Sequence, residues 1–143
     1  MRLVVVIPGR PKAWERARTS GKRRYHSPAM EAAADKIAAR VLVAARKAGI
    51  RQFPPCAHLT VTALWARPGR IPEGHPLRGT NPFQRHPRPV VPDADNVAKL
   101  VMDAIGRVNL WGDDAQVTRL ESVKQWASES EGSATIVMIE EDA

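Results

Sequence analysis

The chain has 143 residues, 43% of them hydrophobic, and 22 Lys and Arg against 15 Asp and Glu give a formal net charge of +7. That length suits one domain spanning 1–143 with a real core, and the apolar fraction excludes wholesale disorder. The basic excess favours a polyanionic partner, nucleic acid ahead of membrane, and a lone Cys56 excludes an intrachain disulfide or a cysteine-based zinc site.

Residues 2–7 (R-L-V-V-V-I) form a β-branched run stopped by Pro8 and Gly9, which predicts a buried first strand. The run is too short for a signal peptide or a membrane span, so a cytoplasmic protein is expected. Residues 8–27 carry Arg10, Lys12, Arg16, Arg18, Lys22, Arg23 and Arg24 with little apolar periodicity, and read as an exposed basic loop. Their arginines suit phosphate contacts, so DNA affinity would fall steeply with salt. Each one alone also reads as a solvated surface charge. Trp14 and Tyr25 could stack on unpaired bases, with packing the alternative for Trp14.

Ser27 followed by Pro28 is an N-cap signal, and a helix is expected over about 28–48 with Ala34, Ile37, Val41, Ala45 and Ala48 on one face and Gly49 closing it. Cys56 reads as a small, partly buried thiol. Residues 57–66 alternate, with Leu59, Val61, Ala63 and Trp65 on one side of a second strand. From Arg67 to Pro92 the chain is rich in Pro, Gly, Arg and His, a long surface loop of the kind that is functional or disordered.

A second helix is expected over about 94–105, and two strands over 115–127 and 133–140, joined by a hairpin turn at S-E-S-E-G. The first of these two strands has the weakest pattern, because Val117, Leu120, Val123 and Trp126 recur every three residues. The order β-α-β-α-β-β implies an α+β fold, with helices packed on one face of a mixed β-sheet.

The segment P-D-A-D-N-V-A-K-L-V-M-D-A-I-G, residues 92–106, and W-G-D-D-A-Q-V, residues 111–117, concentrate carboxylates in a basic protein. Val97, Leu100, Val101, Ala104 and Ile105 form an apolar stripe, while Asp95, Lys99 and Asp103 stack four residues apart on the opposite arc. Asp93 falls at the N-cap. The plain reading is a capped helix with an Asp95–Lys99 surface ion pair worth about 0.3–0.5 kcal/mol. The functional reading is a Mg²⁺ pocket, in which crowded carboxylates hold a hard cation and arginines hold a polyanion. His26, His58, His75 and His86 lack zinc-ligand spacing, and no Walker-type loop or nucleophile-elbow signature occurs. The G-D-D string is shared with polymerase metal sites, but the chain is far too short for a polymerase.

Together the two segments resemble the signature of the RusA family of Holliday-junction resolvases, D-x-D-N-x-x-K-x-x-x-D-A-L, a short gap, then D-D-x-Q-V. The resemblance implies that Asp93, Asp95 and Asp114 are the magnesium-binding catalytic carboxylates and that Lys99 is the lysine needed for cleavage. Asn96, Asp103, Asp113 and Gln116 match supporting positions; Asn96 would fix a carboxylate and Gln116 the turn, or both would be structural. It further implies a RusA-like fold, Mg²⁺ with Mn²⁺ as a substitute, and four-way junctions or other branched DNA as partner. A homodimer acting by paired symmetric nicks in recombination and repair is implied too, with a bacterial or phage-encoded, nucleoid-associated setting and no membrane. The long 67–92 loop departs from the shorter members and leaves substrate geometry open. Two rival readings stand beside this one: a nuclease preferring flaps or forks, and a non-catalytic DNA-binding module.

Overall fold

The computed structural model describes residues 1–21 and 23–143, with residues 18, 20 and 23–25 described through their backbone. Lys22, counted above among the basic residues, lies outside the described residues, as do the side chains of Arg18, Arg23, Arg24 and Tyr25. In chain order the elements are β1 (Arg2–Pro8), β2 (Arg18–Ser20), β3 (Arg23–Tyr25), α1 (Pro28–Lys47), β4 (Ala57–Trp65), β5 (His86–Pro87), α2 (Ala94–Arg107), a 3-10 turn (Asp114–Gln116), β6 (Val117–Trp126) and β7 (Ala134–Glu141). The fold is α+β, a mixed five-stranded sheet in the order β1-β7-β4-β6-β5 with two helices.

Strand alternation decides where the core lies. Leu3, Val5 and Ile7 are buried, whereas Val4 and Val6 are each 51% exposed. The register aligns Leu3 with Ile139 and Leu59, and Val5 with Val137 and Val61. These rows meet the buried faces of both helices in one apolar cluster, each fully buried aliphatic contributing about 1.5–3 kcal/mol. In α1, Ser27 accepts from the Met30 N–H at 3.2 Å and Pro28 occupies the first turn, as the sequence predicts. Ala34, Ile37, Val41 and Ala45 are buried, while Ala48 is the exposed C-cap. The α2 stripe of Val97, Leu100, Val101, Ala104 and Ile105 is at most 1% exposed throughout. Beyond the helix end Asn109 takes a φ of 56°, the left-handed conformation that asparagine tolerates. No helix among the described residues is long and apolar enough to cross a membrane.

Four expectations need correction. The expected hairpin between the last two strands does not form: β6 pairs in parallel with β4, and β7 pairs antiparallel with β4 and β1. β7 takes a central position because Ile136 and Met138 alternate with Val137 and Ile139, so both its faces are apolar. β6 lies nearer the edge, with Leu120 46% and Val123 37% exposed, which explains its poor period. Within 8–27, β2 and β3 pair as a short antiparallel hairpin turned at Gly21, whose φ is +62°. Cys56 is exposed rather than partly buried.

The fourth correction concerns the long loop, which is built rather than loose. Leu77 is 2% exposed, and β5 pairs antiparallel with β6. Arg67 donates from Nε to the Ala127 carbonyl at 2.9 Å, and from one terminal nitrogen to the Asn81 and Gln84 carbonyls at 3.0 and 2.8 Å. Arg78 donates to the Ile71 carbonyl. Arg85 grips Glu131 with contacts of 3.0 and 2.6 Å. These arginines are engaged within the protein and hold the loop to the sheet.

Glu131 also accepts from the Ser128 N–H at 3.0 Å and the Ser128 hydroxyl at 2.9 Å. Arg85 first, then Ser128, hold its carboxyl down to about 2 against the opposing effect of burial. Since the folded value lies below the ordinary 4.5, the stabilisation is whole above pH 4.5 and is lost as pH falls toward 2. After discounting for solvent screening, Glu131→Gln is expected to cost about 1–2 kcal/mol at neutral pH and almost nothing near pH 2. Urea unfolding at the two pH values measures this; equal penalties at both would refute it.

Candidate functional site

The site is built where α2 and the turn after it return toward β6. β4 and β6 are parallel, so the chain must cross over between them, and α2 lies within that crossover. Its first turn is tied to the sheet by Ser122, whose hydroxyl donates to the Ala94 carbonyl at 2.6 Å. At the far end, Arg107 donates to Glu31 at 2.9 Å and Asp35 at 3.2 Å, fixing α2 against α1. The turn that follows is anchored by Trp111, 2% exposed, packed edge-on to Phe53 with ring centroids 5.7 Å apart. A buried tryptophan followed by Gly112 leaves Asp113 and Asp114 on the surface side of that anchor, and both are exposed.

The carboxylates then divide by their commitments. Asp113 caps the 3-10 turn, accepting from the Ala115 N–H at 2.7 Å. Gln116 completes that turn: its Oε1 accepts from the Gly112 N–H at 2.6 Å and its amide donates to the Pro54 carbonyl. These two supporting residues therefore hold the loop. Asp93 occupies the N-cap of α2 by position but makes no side-chain cap hydrogen bond, so its charge is free for other work. Asp93, Asp95, Lys99 and Asp114 are all exposed.

Asp103 is half-buried and is drawn into the site as well. Its carboxyl is pushed above the ordinary range, first by burial and then by the charge of Asp114; Lys99, Arg107 and His26 pull the other way. The charge of Asp114, on the turn after α2, is thus felt at Asp103 on the helix itself. Asn96 is half-buried, and its backbone carbonyl accepts from the Trp14 N–H at 2.9 Å. With Asp93 it lines a cleft of about 440 Å³ whose other walls include Arg10, Lys12, Trp14, Trp65 and Pro92. Arg10, Lys12 and Arg16 are exposed, and the first two line that cleft.

Lys99 does not form the ion pair with Asp95 that the plain reading of this helix supposes. Among the described residues no carboxylate lies within 4.0 Å of its ammonium. Its Nζ instead sits 3.4 Å from the centroid of the Trp14 ring. Trp14 in turn meets His26 edge-on at 6.0 Å. Sequence reading did not find this contact or the place of His26, because both depend on the 8–27 segment folding back over α2.

The donors on this surface are carboxylate oxygens, which suit a hard divalent cation rather than zinc. Among the described residues no three His, Cys, Asp or Glu side chains already form a metal-holding group. The donor set is one of carboxylate oxygens from separate segments, and a hard cation bound among them would fill the rest of its shell with water and substrate phosphate oxygens.

No curated protein matches the chain. The model of the endodeoxyribonuclease RusA family matches residues 8–140, nearly the whole sequence. The chain belongs to the RusA endodeoxyribonuclease family.

Proposed function

We propose that this chain is a Mg²⁺-dependent, structure-selective endodeoxyribonuclease that resolves four-way DNA junctions by paired symmetric nicks in recombination and repair. The observation that carries the reading is the pairing of uncommitted carboxylates, Asp93, Asp95 and Asp114, with a lysine unneutralised by any of them, inside a family of DNA endonucleases. Asp93, Asp95 and Asp114 would hold the metal, for which Mn²⁺ would substitute. Bound there, the cation would ionise a water and offset charge on the phosphorane-like transition state.

The protein's own residues account for the remaining needs. Arg10 and Lys12, beside Asp93 at the cleft, attract and orient the phosphate backbone. Lys99 offers a full positive charge to the non-bridging oxygens, where charge grows in the transition state. Water forms one bond to phosphorus as one P–O bond to the leaving strand breaks, with no covalent enzyme intermediate. A homodimer would present two such sites to a two-fold junction, and the single 1–143 unit would supply one of them.

A nicking assay on synthetic four-way junctions, flaps, forks and linear duplex, with and without Mg²⁺, tests the reading. Paired cuts in the junction alone, dependent on the metal, are expected. Preferential flap or fork cleavage would replace the junction assignment, and binding without cleavage of any substrate would leave a DNA-binding module.

A further inference from the structure

We propose that Trp14 is a positioning residue for cleavage, its indole face serving as the platform that holds the Lys99 ammonium at the site; the inference rests on the nuclease reading above. Lysine is a compact charge on a flexible stem, so an exposed lysine loses much rotamer freedom when it must act from one place. A carboxylate partner would fix it but would also cancel the field that a phosphate needs. An aromatic face fixes it differently. The ring quadrupole attracts the cation without neutralising it, and leaves the ammonium hydrogens free for a phosphate oxygen.

The geometry has this character. The Lys99 Nζ lies 3.4 Å from the Trp14 centroid. Trp14 is itself held from three sides: its backbone N–H donates to the Asn96 backbone carbonyl at 2.9 Å, its ring packs partly buried on the core, and His26 meets it edge-on. Asn96 stands one residue from Asp95 and one helical turn before Lys99. The platform is thus fastened to the same first turn of α2 that carries Asp95 and follows Asp93, two of the three candidate metal ligands, so ring and lysine are tied to one element. A purely structural tryptophan would need none of this alignment with a charged side chain.

The test compares Trp14→Phe, Trp14→Leu and Lys99→Gln in single-turnover junction cleavage with protein in excess, alongside junction binding without metal and thermal melts. Trp14→Phe keeps a weaker face and should cleave within about threefold of wild type; Trp14→Leu keeps apolar bulk alone and should slow cleavage about tenfold. Binding should change less than about twofold in both. In a Lys99→Gln background, Trp14→Leu should add nothing, because the group it positions is gone. Equal rates for the Phe and Leu variants, a further loss in the Lys99→Gln background, or a loss confined to binding would overturn the proposal.

NMR of wild type gives a readout independent of activity. The Lys99 ε-methylene resonances should be shifted upfield by the ring current, and Trp14→Phe should reduce that shift. An unshifted methylene overturns the platform even if the enzyme cleaves. Wild-type protein that shows the shift yet cuts no branched DNA overturns the catalytic use of the platform together with the nuclease reading.

Discussion

Asp114→Asn is expected to abolish junction nicking, by about a thousandfold or more, while junction binding stays within about twofold of wild type. The substitution keeps shape and removes charge. Asp114 is exposed at the start of the 3-10 turn, and the turn is held by Asp113 and Gln116 rather than by Asp114. Folding should therefore survive. It should improve slightly, because the charge of Asp114 is one of the two influences, after burial, that raise the Asp103 carboxyl. Removing that repulsion from a half-buried group relieves a cost of the folded state at neutral pH. A more stable, inactive protein is the pattern expected when destabilising charge is concentrated for function. Gel analysis of nicked junctions, binding in the absence of metal, and a thermal melt measure the three quantities. An Asp114→Asn protein with undiminished cleavage would remove Asp114 from the metal set, and a binding loss as large as the cleavage loss would make its role one of substrate affinity.

How far the sequence foretold this molecule depends on how local each determinant is. The α2 stripe was legible because helix period and burial are set within two turns, and all five expected positions are buried. Strands β1 and β4 were legible for the same reason. Partner choice was not: whether β7 lies beside β6 or between β1 and β4 depends on residues in distant strands, and the S-E-S-E-G stretch has the same turn chemistry in either case. The β2–β3 hairpin escaped because its three-residue strands carry charge instead of alternating apolar residues. The engagement of Arg67 was not legible, since nothing near it in sequence announces carbonyls supplied from Asn81, Gln84 and Ala127. In the site, the D-x-D-N and D-D motifs named the carboxylates, yet they did not tell which would be committed to capping. Asp93 and Asp113 both follow turns and precede helices; Asp113 caps and Asp93 does not. The Trp14–Lys99 contact has no motif at all.

Arg88→Ala is expected to destabilise the fold by about 3–4 kcal/mol, the largest penalty among the loop arginines. Arg88 is only 8% exposed. Its guanidinium lies 4.2 Å from the Trp65 ring centroid and 4.9 Å from that of Trp126. Burial lowers its pKa, with Arg10 adding to the effect, and its buried Nε has no hydrogen-bond partner among the described residues. Two indole faces thus stand where a carboxylate would usually be. One terminal nitrogen donates to the Val91 carbonyl at 2.8 Å, two residues before Asp93, so the same side chain that closes the gap between the tryptophans also fixes the approach to the site. Alanine leaves both indoles facing a void. Lysine fares little better, because an ammonium is more strongly hydrated and cannot lie flat between the rings. Methionine should be the mildest replacement: it fills the slot and removes a buried charge whose desolvation was only partly offset. The expected order of stability in urea is wild type, then Met, then Lys and Ala together. Cleavage should fall in the Met variant even where stability is nearly restored, since no replacement reaches the Val91 carbonyl and the segment entering Asp93 loses its tether. A lysine variant as stable as wild type would mean that charge alone, not the stacked plane, holds this loop. A fully active methionine variant would mean that the approach to Asp93 is set elsewhere.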